Sequence, residues 1–187
     1  MTVTTTRKIT FEEYLTYDDG TDKRYDFNDG ELIEVTPATA FHNALMMFFS
    51  FVLQLEIRQK SYPYCVRVNS TELLISKRTR RPDVLVMTLD QSQGLGNQPD
   101  MLYEPCLLAI EIVSLTCRTV DTVEKREEYA QFGIPEYWIV DFLLGTFSVL
   151  ILVNGNYVEK VYRENDQIIS NVFPKLSLSM NQVMADR

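Results

Sequence analysis

The sequence predicts a mixed α/β fold in a single domain. A turn signal joins two short apolar runs near the N-terminus, a long apolar segment has the pattern of a buried helix, and several β-branched runs lie on either side of a second predicted helix. The apolar fraction of 45% and the charged fraction of 24% are those of an ordinary globular protein. Because 187 residues can bury one core, we expect one domain over residues 1–187.

The first third of the chain carries helix and hairpin signals. Thr10 followed by Glu13 has the pattern of a capping box, which predicts a short helix. An Asn-Asp-Gly turn at residues 28–30, between two apolar runs, predicts a hairpin. Residues 38–60 are apolar on more than one helical face, so we expect a long buried helix there.

The remainder alternates strand and turn signals around a second helix. Residues 107–114 are apolar on both faces, as in a central strand, whereas residues 90–104 have the composition of a polar loop. Residues 121–132 predict a helix ended by Gly133, and we expect Asp121 to cap its start rather than take part in catalysis. The other predicted strands are residues 65–69, 72–76, 81–88, 137–142, 146–152, 157–162 and a short one from 168 onward.

The composition excludes several classes of protein. Three cysteines, Cys65, Cys106 and Cys117, form no CxxC pair, which predicts reduced core thiols rather than a disulfide framework or a zinc site. The chain has one histidine, His42, which argues against a Ser-His-Asp triad and against a histidine-rich metal site. The first ten residues lack the apolar core of a secretory signal, and the apolar stretch of residues 44–55 is too short to cross a membrane. We therefore expect a cytoplasmic protein with no membrane partner.

Two acidic residues lie inside apolar, strand-like segments. Asp83 follows Pro82 at the start of one run, and Glu111 lies in the middle of another. A buried carboxylate costs several kcal/mol unless it has a partner, so two of them on separate strands point to a shared cation. Carboxylate oxygens are the ligands that Mg²⁺ prefers, and we expect the chemistry at this pair, with the carboxylates on one face of adjacent strands.

The charge distribution leaves two interpretations of one basic segment. The net charge of −8 argues against non-specific nucleic-acid binding, which depends on phosphate neutralisation. Residues 77–81 nevertheless place Lys77, Arg78, Arg80 and Arg81 immediately before Asp83. This basic segment is either a solvated turn between strands or a nucleic-acid-binding edge that docks phosphates beside the metal site.

Phosphodiester hydrolysis also needs a cation for the developing charge. The position two residues after Glu111 is Val113, so that strand supplies no lysine. Lys125 lies one helical turn after Asp121, and its helix could bring it to the acidic pair; a solvated surface position is the alternative.

The chain resembles the Uma family of restriction-endonuclease-like proteins, within the PD-(D/E)XK nuclease superfamily. The likeness rests on Asp83, Glu111 and Lys125 with residues 133–141, Gly-Ile-Pro-Glu-Tyr-Trp-Ile-Val-Asp, and on residues 24–32 near the start. It runs from about residue 10 to about residue 180. It implies a restriction-endonuclease-like core, in which helices flank a central mixed sheet, with additional hairpins at both ends.

The resemblance also implies roles for individual residues. Asp83 takes the place of the first acid and Glu111 of the second, both as ligands of Mg²⁺ or Mn²⁺, and Lys125 replaces the lysine missing at Val113. The accessory residues would be Asp26, Glu31 and His42. Asp26 stands where this family typically has a glutamate, which shortens the reach of its carboxylate, and His42 is expected to position rather than to act as a general base.

The implied function is a metal-dependent DNA endonuclease. Two alternatives stay open: an inactive nuclease-fold module that binds nucleic acid or protein, and a hydrolase of small phosphorylated metabolites. Because one acidic chain offers few phosphate contacts, we expect a homodimer that sets two basic segments beside two active sites on duplex DNA.

Overall fold

The computed structural model describes residues 7–114 and 118–185. Predictions for the first six residues and for Cys117 therefore lie outside the described residues. The helices are α1 Phe11–Leu15, α2 Ala40–Lys60, α3 Leu89–Leu95, α4 Lys125–Phe132 and α5 Met180–Ala185, and a π-helical turn, Val120–Glu124, leads directly into α4. The strands are β1 Tyr25–Asn28, β2 Glu31–Glu34, β3 Tyr64–Val68, β4 Glu72–Ile75, β5 Arg78–Arg80, β6 Val84–Thr88, β7 Met101–Leu102, β8 Leu108–Ile112, β9 Glu136–Asp141, β10 Thr146–Val153 and β11 Asn156–Arg163.

The strands form two mixed sheets. The larger sheet has the order β11-β10-β9-β8-β6-β3 and is antiparallel except where β8 pairs with β9. The smaller sheet has the order β2-β1-β5-β4-β7, with β4 and β7 parallel. The predicted class, a mixed sheet flanked by helices with hairpins at both ends, is confirmed.

Both faces of the larger sheet are buried. Helix α2 covers one face, where Phe49 packs against Trp138 and Phe147. The other face carries a second core that includes Tyr129 of α4 and Tyr137 of β9, whose rings meet edge to face at 5.1 Å. Because β8 contributes to both cores, it is a central strand apolar on both sides, as predicted.

Most predicted elements are present, and the exceptions have local causes. The segment 90–104, predicted as a loop, contains most of α3 and the two-residue strand β7. Thr88 and Gln91 form a capping box that starts the helix despite the later glycines, and β7 pairs with β4. No strand begins at Ile168; residues 164–179 run as turns and bends before α5. The basic segment is not a solvated turn, since Arg78–Arg80 form β5 in the smaller sheet. Cys106 is buried and Cys65 half-buried, and both are free thiols.

Helix α2 is longer than the apolar stretch seen in the sequence. Its 21 residues are enough, by length and composition alone, to span a bilayer, a test that core helices of soluble proteins also pass. One side of α2, including Leu45, Phe49 and Leu53, is buried against the sheet. The opposite side leaves Met47, Phe51 and Leu55 exposed.

Candidate active site

Asp83 and Glu111 face each other across two neighbouring strands. Val84 pairs with Ile110 in the antiparallel ladder of β6 and β8, so the next step of the register sets Asp83 opposite Glu111. Residues directly opposed in an antiparallel pair project from the same face of the sheet. The backbone amide of Ile112 donates to Asp83 Oδ2 at 2.7 Å, which fixes this carboxylate at the strand end. The register therefore sets the two acids opposite each other, and their role as metal ligands stays a prediction.

Helix α4 brings two further side chains to Glu111. Lys125 Nζ lies 2.7 Å from Glu111 Oε2, and the hydroxyl of Tyr129 donates to Glu111 Oε1 at 2.7 Å. The two residues are one turn apart on the helix and so share a face. Only 12% of the Lys125 side chain is exposed, so it is not a solvated surface lysine. Both oxygens of Glu111 are thus engaged by residues of one helix.

Asp121 belongs to this cluster, and its predicted role as a helix cap is wrong. The chain is already helical at Arg118, which places Asp121 inside the π-helical turn. Its buried carboxylate lies 2.8 Å from Lys125 Nζ, and the Tyr137 hydroxyl donates to its backbone carbonyl at 2.6 Å. The sequence does carry a signal for Asp121. It precedes Lys125 by four residues, as Lys125 precedes Tyr129, and residues at this spacing share one face of a helix.

His42 reaches the site from the opposite face of the sheet. It lies in the first turn of α2, where Thr39 caps the helix by accepting from the His42 backbone amide at 3.1 Å. Its Nε2 is 2.9 Å from Asp83 Oδ1. His42 therefore contacts Asp83 directly, in a position to orient that carboxylate.

Burial dominates the electrostatics of the cluster, and an excess of carboxylates adds to it. Burial raises the pKa of Glu111 to about 8; Lys125 opposes the shift, and Asp83 and Asp121 add to it. Burial likewise raises the pKa of Asp121. Burial lowers the pKa of Lys125, but the three carboxylates outweigh it and hold this pKa well above its ordinary value. One ammonium serves three acidic groups, and the cluster can accept more positive charge.

Asp26 lies at the margin of the same cluster. Burial raises the pKa of its carboxyl, and Arg81 and Lys125 oppose the shift. Its Oδ1 lies 3.5 Å from Arg81 Nη1 and, among the described residues, has no hydrogen-bond partner. Arg81 is also paired with Glu72. Asp26 thus adds a half-buried carboxylate, with one buried oxygen that has no hydrogen-bond partner among the described residues, near the site.

Glu31, predicted as an accessory residue, is not drawn into the cluster. It begins β2 opposite Asn28 in the hairpin. Within the part of the chain that the structure describes, its carboxylate forms no ion pair. An accessory role for Glu31 stays a prediction.

The arginines of the basic segment are engaged inside the molecule. Arg78 lies 2.7 Å from Glu128, and Arg80 makes contacts of 2.6 Å with Glu128 and 3.2 Å with Glu124. Lys77 differs from the arginines. Its side chain is 82% exposed, and its ammonium makes a long contact of 3.5 Å with the Asp29 carboxylate. Phosphate docking by these four residues stays a prediction, and the structure leaves Lys77 as the cation best exposed to carry it.

The donor chemistry of the cluster fits a hard divalent cation. Asp83 and Glu111 offer carboxylate oxygens, which suit Mg²⁺ and Mn²⁺ better than softer metals. Over residues 7–114 and 118–185, no group of three or more metal-binding side chains is already gathered around one point. Instead Lys125 holds Glu111 and His42 holds Asp83. A bound cation would therefore replace these contacts rather than enter a preformed cage.

Comparison with known proteins agrees with this architecture. The profile of the Uma2 family, described as "Putative restriction endonuclease", matches residues 11–181. An uncharacterized protein of Synechocystis, sll1609, is 29% identical over 142 residues, which cover 75% of this chain and 79% of that protein. A crystal structure of a putative nuclease of the DUF820 family from Anabaena variabilis superposes with a TM-score of 0.78 at 15% identity, over 95% of this chain and 98% of that one. The fold is thus shared with a nuclease-like protein, and the chain belongs to the Uma2 family.

Proposed function

We propose that this protein is an endonuclease that cuts DNA phosphodiesters with Mg²⁺ or Mn²⁺ bound at Asp83 and Glu111. The main observation in support is that these two carboxylates and the Lys125 ammonium converge at the end of β6 and β8. Family membership supports a nuclease-like activity, and the shared fold supports the same architecture for the site.

Each side chain has a defined task in this proposal. When bound, the cation would polarise the phosphate and lower the pKa of a coordinated water. Tyr129 holds Glu111 through Oε1 and so keeps Oε2 directed into the site. Lys125 supplies a positive charge for the phosphorane-like transition state, where buried charges act strongly. Asp121 contacts the same ammonium at 2.8 Å, so Lys125 would keep a partner at the site if Glu111 bound the cation.

The first test is metal binding by a single variant. Asp83→Asn should lose tight Mn²⁺ binding in calorimetry and lose nicking of supercoiled plasmid, while remaining folded because the Ile112 amide still has an oxygen acceptor. Asp90→Asn, an exposed acid in the first turn of α3, is the matched control and should bind Mn²⁺ like the parent. Equal affinity in the parent and in Asp83→Asn would move the metal site elsewhere.

A small phosphoester is the second candidate substrate. The observation in its favour is that Arg78, Arg80 and Arg81 are already paired with carboxylates, which leaves little basic surface for a duplex on a chain of net charge −8. Hydrolysis of p-nitrophenyl phosphate without plasmid nicking would favour this substrate class. Mn²⁺ binding with neither activity would favour the inactive nuclease-fold module.

Assembly and cellular location also belong to the proposal. We infer a homodimer, because two copies would double the few exposed cations available to a two-stranded substrate. The exposed apolar side chains on α2, Met47, Phe51 and Leu55, are the face that we assign to the pairing. The free thiols Cys65 and Cys106 suit a reducing cytoplasm, where we place the protein.

A further inference from the structure

Four charged side chains form an ion-pair network between the smaller sheet and the helix that carries Lys125, with Arg80 as its buried member. Arg78 and Arg80 project from β5, and Glu124 and Glu128 lie on the π-helical turn and on α4. Arg80 makes a two-point contact with Glu128, at 2.6 and 3.0 Å, and a third contact with Glu124 at 3.2 Å. Arg78 reaches Glu128 at 2.7 Å and Asn28 at 2.9 Å. Only 8% of the Arg80 side chain and 22% of the Glu128 side chain are exposed, so solvent screens this pair less than it screens the more exposed Glu124.

The two glutamates adjoin the two helical residues that contact Glu111. Glu124 immediately precedes Lys125, and Glu128 immediately precedes Tyr129. Consecutive helical residues point about 100° apart around the axis, so one side of the helix is held by β5 while the neighbouring side holds Glu111. A rotation of α4 that moved Lys125 would have to break the contacts of Arg80.

Apolar burial on this helix is limited. Helix α4 adds eight residues to the π-helical turn; Tyr129 is its one fully buried side chain, and Ala130 and Phe132 are partly buried against the second core. Helices of this length are unstable in isolation and depend on tertiary contacts. The ion network supplies such contacts, and its two-point Arg80–Glu128 geometry specifies an orientation that a single hydrophobic contact would not.

We propose that Arg80, assisted by Arg78, is a positioning residue that sets Lys125 and Tyr129 on Glu111, and that it is not a phosphate ligand. The catalytic meaning of this placement rests on the proposed function, whereas the placement itself does not. The competing assignment, nucleic-acid docking by the same arginines, would require them to leave Glu124 and Glu128.

The experiment observes the Lys125 ammonium directly. A buried, ion-paired lysine protects its ammonium protons from exchange with water, so a ¹H–¹⁵N spectrum of the metal-free full chain should show one protected lysine signal that Lys125→Met removes. In Arg80→Met that signal should be lost, while circular dichroism still shows a folded protein. Arg126→Met is the matched control, because it breaks an exposed ion pair of the same helix with Glu159, and it should keep the signal.

A charge exchange guards against a variant that fails to fold. Combining Arg78→Glu and Arg80→Glu with Glu124→Arg and Glu128→Arg restores opposite charges at every contact of the network and should recover the protected signal. A protected Lys125 signal in folded Arg80→Met, or a folded exchange variant without the signal, overturns the proposal. A weaker salt dependence of DNA binding in Arg80→Met, with the signal intact, would assign Arg80 to phosphate instead. Absence of nuclease activity in the parent would count against the proposed function alone, since the signal does not depend on turnover.

Discussion

At the scale of single residues, the site is a balance between three carboxylates and one ammonium. Lys125 contacts Glu111 and Asp121, while Asp83 is held by His42 and a backbone amide. Removing a charge on either side of this balance should change both the pH dependence of stability and the response to a divalent cation.

Metal-free protein should lose stability as the pH rises through the range in which Glu111 titrates. Its pKa rises from an ordinary 4.5 to about 8 on folding, so between these values the native state binds more protons than the unfolded state. The free energy of unfolding then falls with increasing pH across this window. Urea unfolding in EDTA from pH 5 to pH 8 should show a shallower decline for Glu111→Gln than for the parent. Equal slopes would mean that Glu111 is ionised in both states.

Replacing Lys125 should weaken the metal-free protein and strengthen its response to Mn²⁺. Lys125→Met leaves the buried carboxylates without their ammonium, which should cost on the order of 3 kcal/mol of unfolding free energy. Mn²⁺ should then raise the melting temperature more than in the parent, because the ion replaces the missing charge and displaces no ammonium. Lys175→Met, at an exposed position, should match the parent in both scans. A smaller Mn²⁺ shift in Lys125→Met would contradict the shared-site geometry.

At the scale of elements, the starts of two helical segments place side chains of the candidate site. The first turn of α2 carries His42 to Asp83, and the π-helical turn sets Asp121 beside Lys125. In that turn the Lys125 amide bonds to the Val120 carbonyl five residues back, a geometry often found at functional sites. Both ends depend on local hydrogen bonds that mutation can remove one at a time.

The cap of α2 should matter more than the cap of α1. Thr39→Ala removes the acceptor for the His42 amide at the start of a 21-residue helix that packs on the larger sheet. We expect a loss of about 1 kcal/mol in urea unfolding. Thr10→Ala removes the corresponding contact from α1, an exposed five-residue helix without a buried side chain, and should cost less. A larger loss of unfolding free energy in Thr10→Ala than in Thr39→Ala would contradict this ranking of the two caps.

At the scale of the whole molecule, the smaller sheet contributes side chains that contact α4 and the candidate site on the larger sheet. Its strand β5 supplies the arginines that hold α4, and its strand β1 supplies Asp26 beside the site. Because the arginines of β5 are paired inside a chain of net charge −8, any self-association would depend mainly on apolar contact. The exposed side of α2 carries no charged residue between Ala40 and Ile57, which suits contact with a second copy.

Sedimentation velocity should show a dimer that depends on Phe51. Phe51 is 68% exposed and lies midway between Met47 and Leu55, so an antiparallel pair of α2 helices would bring the two Phe51 rings together. Phe51→Glu should sediment as a monomer, and Phe51→Cys should form an intermolecular disulfide on mild oxidation. Val158→Glu alters an apolar side chain on β11 with 60% exposure and should remain dimeric. A monomeric parent would remove the dimer from the proposed function.

The sequence by itself determined the fold class and the acidic pair. Hairpin turns, caps and apolar periods are local signals, so β1–β2, α2, β8 and the Gly133 stop could be predicted from neighbouring residues. The sequence also predicted that Asp83 and Glu111 would face each other, because both lie in apolar strand segments that a mixed sheet would pair. Thr88 and Gln91 form the same kind of local signal, and α3 could have been found from them.

Only the tertiary structure decided which charges meet. Asp121 is a site residue and not a cap because the helix begins earlier than its sequence pattern indicates and turns Asp121 toward Lys125. The basic segment faces Glu124 and Glu128 because β5 joins the smaller sheet and packs beside α4, a contact between residues more than forty positions apart. A sequence shows how many basic side chains a protein has. Only the packing of the folded chain determines which of them are already paired with a carboxylate.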